Sequence, residues 1–137
     1  MEKKLFYEDM EVGTEIPTLV KHPTKQQLVK WAGASADFYP VHYDKDFAQS
    51  AGLPGVIVHG FLSFSFLQQM VFDYFGVDAT VKKLGSSFRG VAFPEEDMFC
   101  KGKVTEKYIG GSEHLVKCEI WAENPKGEKV TTGNATD

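Results

Sequence analysis

The chain has 137 residues, 42% of them hydrophobic and 25% charged, with a net charge of −4 and a pI of about 5.6. That is one ordinary globular domain, 1–137, large enough to bury a core without disulfides or metals. No stripe of Lys and Arg exists to meet nucleic acid, and Cys100 and Cys118 are too few for a disulfide scaffold and lack zinc-ligand spacing, so a reducing, cytoplasmic setting is expected.

Residues 1–9 contain no apolar h-region, so no secretory signal is read there. The longest apolar stretch, Phe61 to Phe75, is interrupted by Ser63, Ser65, Gln68, Gln69 and Asp73 and is too short and polar to cross a bilayer. Gly13 marks a turn, and Glu15 to Val20 is a short extended piece. Thr24, with Gln27 three residues on, resembles a capping box and starts a helix to about Ala34. Asp37-Phe38-Tyr39-Pro40-Val41-His42 is irregular, because Pro40 lacks an N–H and disfavours helix at Tyr39. Asp44 caps a short helix through Ala48 that ends near Gly52, and Leu53-Pro54-Gly55 is a turn.

Val56-Ile57-Val58 is a short buried run that delivers the chain to His59-Gly60. From Phe61 to Tyr74 the pattern is apolar on most sides, which predicts a buried helix with Gly76 as its C-cap. The period then changes to two. Strands are expected over Val81 to Phe88, Met98 to Tyr108, His114 to Ala122 and from Lys129 onward, with turns at Gly110-Gly111 and Asn124-Pro125-Lys126-Gly127. Helices and strands segregated in this way predict an α+β fold, with an antiparallel sheet wrapped around the long central helix.

Asp37 and His42 sit five residues apart around the proline. A loop can turn both into one pocket, where they could share a water for acid–base work. On spacing alone, an Asp37 that caps a turn and a His42 satisfied in a loop is the simpler account. His59-Gly60 opens the buried helix, where free N–H groups and the positive end of the dipole suit a developing oxyanion. Gly60 serves equally well to permit tight packing. The four histidines (His22, His42, His59 and His114) fit no metal motif, and no phosphate loop or nucleophile elbow is present. Ser63 and Ser65 are expected to bond back to the helix, and Gln68 or Gln69 to face a pocket.

The stretch Trp31 to Asp44, containing Asp37-Phe38-Tyr39-Pro40-Val41-His42 and followed by Ala48, resembles the hydratase motif of the MaoC-like dehydratases. This group includes the R-specific enoyl-CoA hydratases. Gly55-Val56-Ile57-Val58-His59-Gly60-Phe61-Leu62 resembles the segment leading into that family's central helix. Tyr7 to Gly13 and Ser87 to Pro94 also look familial.

The resemblance implies a hotdog fold, paired with a second such fold as a homodimer or heterodimer. It implies reversible addition of water to a trans-2-enoyl thioester, giving the (R)-3-hydroxyacyl thioester. CoA or an acyl carrier protein would carry the substrate, and no cofactor or metal is needed. Asp37 and His42 match the catalytic pair, and Gly60 matches the residue whose N–H holds the thioester carbonyl. Tyr39, Pro40, His59 and Gln68 are the expected pocket residues.

Three features depart from the pattern. Tyr39 replaces the motif Asn, Gln68 stands where some members carry Ser, and the chain stops at Asp137, a few residues before the last strand would. The alternatives are a non-catalytic hotdog partner, a hotdog thioesterase using a central-helix carboxylate such as Asp73, and a carrier-protein binding module. Lys82, Lys83, Arg89, Lys101 and Lys103 would supply the last with its basic patch.

Overall fold

The computed structural model describes residues 10–76, 82–110 and 113–136. Parts of four expectations lie outside them: Tyr7-Glu8-Asp9 of the N-terminal block, Val81 of a strand, Gly111 of a turn, and Asp137. Strand β1 (Glu15–Lys21) leads to helix α1 (Lys25–Ser35), a single 3-10 turn (Pro40–His42), the short α2 (Lys45–Ser50) and the long α3 (Gly60–Phe75). Four strands follow: β2 (Lys83–Phe88), β3 (Met98–Gly110), β4 (Glu113–Glu123) and β5 (Lys129–Thr136). All pairings are antiparallel, in the order β1-β3-β4-β5-β2.

The helix ends follow from their sequence. Thr24 accepts the Gln27 N–H at 3.1 Å and Asp44 accepts that of Phe47 at 3.1 Å, each satisfying a donor that the first helical turn leaves free. Gly76, at φ 82°, closes α3 with its N–H on Phe72 O, 2.9 Å away.

The sheet's inner face is set by the period of two. Val116, Cys118, Ile120 and Ala122 of β4 are buried, and so are Cys100, Gly102 and Val104 of β3. Against them α3 lays Leu62, Phe66, Leu67, Met70, Val71 and Phe75, with Leu28 of α1 completing the core. Both cysteines are buried, and burial pushes the Cys100 thiol up to about 12, so it is an inert core group.

One expectation needs correcting. Helix α3 is not buried all round, because a single sheet covers only one side of it. Phe61 and Phe72, on the uncovered side, are 63% and 53% exposed. The apolar run of residues 56–58 is buried at Val56 and Val58 but joins no ladder; it is held by Ile57 N–H to Val41 O (3.0 Å) and Val58 N–H to Ala92 O (2.8 Å).

Two glycines of the β2–β5 ladder make a paired test. A Cβ on Gly133 would run into the backbone of Gly85 and Ser86, whereas one on Gly85 meets open space. Gly133→Ala is therefore expected to lower stability by about 1–3 kcal/mol, and Gly85→Ala to leave it level or slightly raised. Thermal unfolding of the two variants checks this. Equal midpoints would contradict the ladder geometry.

Candidate active site

The site is built where α1 ends. Ala36 adopts a left-handed conformation, φ 61°, an uncommon one for a residue with a side chain, and turns the chain out of the helix. Asp37 follows directly and is half-buried. Its carboxylate accepts a long hydrogen bond from Tyr39 N–H at 3.4 Å, while Tyr43 Oη donates to Phe38 O at 2.8 Å and ties the loop to the 3-10 turn. No side-chain amide is used at position 39. Tyr39 instead lays its ring edge-on to His42 and Phe47, with centroids 6.1 Å and 5.9 Å away.

Proline shapes the next step. Pro40 begins the 3-10 turn, and its carbonyl accepts the N–H groups of Tyr43 (3.2 Å) and Asp44 (2.8 Å). This swings the His42 ring inward, where it is 8% exposed. His42 Nδ1–H donates to Ile57 O at 2.9 Å, a tautomer assigned from the acceptor it faces. Nε2 is thereby left as a lone-pair acceptor.

The third member is His59, the residue just before α3. It is fully buried, and its ring stacks on His42 with centroids 3.8 Å apart and planes at 20°. Its Nε2–H donates to the Asp37 carbonyl at 3.3 Å. One ligand-type atom from each of Asp37, His42 and His59 lies within 4.8 Å of the others. No spacing in the chain signals that two of the four histidines converge. Of the other two, His22 pairs on the surface with Asp97 (2.9 Å) and Glu95 (3.6 Å), and His114 is exposed on β4. The cluster's two imidazoles are stacked nearly parallel, and each spends one ring nitrogen on a backbone carbonyl, His42 Nδ1 on Ile57 and His59 Nε2 on Asp37.

Burial, and then the charge on His42, hold His59 below the ordinary imidazole value of 6.5. The unfolded chain takes up that proton near pH 6.5, while the folded chain takes it only at lower pH. Stability supplied by the neutral ring is therefore lost as pH falls from about 6.5 through the folded value. His22, raised chiefly by its hydrogen bond to Asp97, works in the opposite sense. Wild type is expected to lose more stability than His59→Phe between about pH 7.5 and 5.5, read from urea midpoints. Identical slopes would place the titration elsewhere.

Two clefts flank the cluster. The first, of about 640 Å³, is lined by Trp31, Asp37, Phe61, Phe64, Ser65 and Gln68 among others. The second, of about 490 Å³, reaches His42 from the other side, beside Tyr43, Lys25 and Lys45. Both volumes suit a small ligand. Gln68 thus faces a cleft, as one of the two glutamines was expected to, and Ser65 bonds back to Phe61 O at 2.9 Å. Neither cleft is lined by His59, Tyr39 or Pro40.

At the mouth of α3, Gly60 N–H has no acceptor among the described residues. What comes close to the Gly60 Cα is the Phe88 ring, 3.0 Å from where a Cβ would stand and edge-on to Phe61 at 5.7 Å. Close packing alone therefore accounts for a glycine here, while the N–H stays free.

The basic patch is largely neutralised. Lys82 pairs with Glu113 at 3.1 Å and Lys101 with Glu123 at 3.0 Å, and Lys103 lies 4.0 Å from Glu119.

A five-stranded antiparallel sheet packed against one long helix defines a hotdog-fold protein, and Asp37 and His42 come together at the mouth of that helix. Residues 7–123 match the MaoC like domain, and the chain belongs to that family. It is 30% identical over 108 residues to the fatty acid synthase beta subunit TOXC of Cochliobolus carbonum, covering 77% of this chain but only 5% of that protein. It is 27% identical over 120 residues to the 3-oxo-4,17-pregnadiene-20-carboxyl-CoA hydratase beta subunit of Mycobacterium tuberculosis, covering 88% of this chain and 90% of that one. Among solved structures, the (R)-hydratase from A. caviae involved in PHA biosynthesis superposes with a TM-score of 0.84 at 23% identity, covering 94% of this chain and 96% of the other.

Proposed function

We propose that this protein hydrates trans-2-enoyl thioesters to (R)-3-hydroxyacyl thioesters, and runs the reverse dehydration. The observation that carries this reading is the convergence of the Asp37 carboxylate and the His42 imidazole at the mouth of α3, beside a cleft and a free N–H. Water sits between the pair. His42 Nε2 accepts a hydrogen bond from it and Asp37 takes its proton as the oxygen bonds to C3. The enolate oxygen is held by Gly60 N–H, and the proton on Asp37 passes to C2, which restores the pair. No cofactor enters this balance.

The acyl chain lies in the cleft of Trp31, Phe61, Phe64 and Gln68, with CoA or an acyl carrier protein as its carrier. A second hotdog fold, identical or not, covers the exposed face of α3 at Phe61 and Phe72. No helix among the described residues is long and apolar enough to cross a membrane, and the two buried cysteines fit a cytoplasmic setting.

A thioesterase on this fold would want a carboxylate on α3 facing the cleft. Asp73 is the helix's acid, and it is exposed near the far end, while Gln68 faces the cleft. A partner-dependent subunit is the better second reading, because the uncovered α3 face borders the candidate pocket and a relative is called a beta subunit. Crotonyl-CoA, followed at the enoyl-thioester absorbance band, tests the proposal. The band should decay with purified protein. A band that persists for short and long enoyl-CoAs alike would overturn the reading for the chain acting alone.

A further inference from the structure

We infer that His59 is a positioning residue, which fixes the Asp37 main chain and the His42 ring in one geometry without touching substrate. This rests on the hydratase reading of the Asp37–His42 pair. Three observations meet on this side chain. Its ring lies flat on His42, with centroids 3.8 Å apart and an interplanar angle of 20°. Its Nε2–H reaches the carbonyl of Asp37 itself. It is fully buried and lines neither cleft.

Fold stability does not account for a histidine here. Nδ1 is buried with no partner among the described residues, and so is Nε1 of the neighbouring Trp31, whose ring meets His59 edge-on at 6.5 Å. A buried polar atom without a partner is destabilising, and one long hydrogen bond offsets little of that. An aromatic hydrocarbon would fill the same space at lower cost. What the imidazole adds is directed entirely at the two residues proposed to do the chemistry. Orienting groups behind a reactive pair change rate far more than binding, since small displacements of the reacting groups are costly.

The test separates the two contacts. His59→Phe keeps a ring against His42 and removes the hydrogen bond. His59→Gln offers a donor near the Nε2 position and removes the ring. His59→Phe is expected to melt at or above the wild-type temperature, while kcat on crotonyl-CoA falls about 10- to 100-fold and KM stays within about twofold. His59→Gln is expected to recover part of kcat relative to His59→Leu. A raised KM at unchanged kcat would make His59 a substrate contact and overturn the inference. Activity that falls only in step with the unfolded fraction would overturn it too, as would an unaltered kcat.

A wild type inert on every enoyl thioester would remove the hydratase reading instead. Nuclear magnetic resonance of the His59→Phe variant then decides the inference alone. The Phe38 amide and the His42 ring signals should shift while sheet amides do not, and unmoved Phe38 and His42 signals would overturn it.

Discussion

Asp37→Asn should fold like the wild type and lose hydratase activity by about three orders of magnitude, within the range that general base catalysis contributes. The substitution is nearly isosteric. In the fold the carboxylate accepts one long hydrogen bond, from Tyr39 N–H at 3.4 Å, and an amide oxygen can accept the same bond. Little stability is therefore at stake. The chemistry is different, because an amide cannot take the proton of water at neutral pH. The effect should fall on kcat, with an unchanged melting temperature as the control. A variant keeping more than about a tenth of wild-type kcat would remove Asp37 from the role of base.

His42→Ala should cost both activity and stability. Activity should fall about 10²- to 10⁴-fold, since the group that orients the water is gone. Stability should fall by about 1–3 kcal/mol, because Ile57 O loses its Nδ1–H donor at 2.9 Å and His59 loses the ring stacked against it. The contrast with Asp37→Asn is informative: under the proposed mechanism Asp37 carries chemistry alone, while His42 carries chemistry and packing. Urea unfolding alongside turnover measures the two terms separately. A His42→Ala variant as stable as Asp37→Asn would contradict the buried hydrogen bond.

Local signals and strong periodicity were legible in the sequence. Thr24 and Asp44 cap where their side chains can reach the free N–H groups, and the alternation from Leu115 to Ala122 maps onto the faces of β4. The strand order is not local. It depends on which edges pair, and β2 joins β5 across more than forty intervening residues, out of chain order. Hydropathy overstates the burial of α3, because it reports what a side chain prefers and not how many sheets are present to cover it.

At the site, a proline-broken loop permits Asp37 and His42 to meet but does not require it, and the family resemblance, not the spacing, singled the pair out; the structure brings their side chains together. His59, a pocket residue on the family resemblance, is fully buried and stacked on His42, and it lines neither cleft. Its stacking on His42 crosses seventeen residues of chain, and no spacing rule encodes that. The space at Gly60 belongs to Phe88, a residue on a strand that is distant in sequence, so the glycine's reason was equally out of view. The ion pairs of Lys82, Lys101 and Lys103 were hidden for the same cause, since each acid lies on another strand or beyond a turn.

The most direct test of the central claim is isotopic. Crotonyl-CoA is turned over in water enriched in heavy oxygen, and the product is analysed by mass spectrometry. The account predicts heavy oxygen in the C3 hydroxyl of an intact (R)-3-hydroxybutyryl thioester, with no label when Asp37→Asn replaces the wild type. Heavy oxygen in a free carboxylate, together with released CoA thiol, would mean that the site cleaves the thioester and would contradict the account.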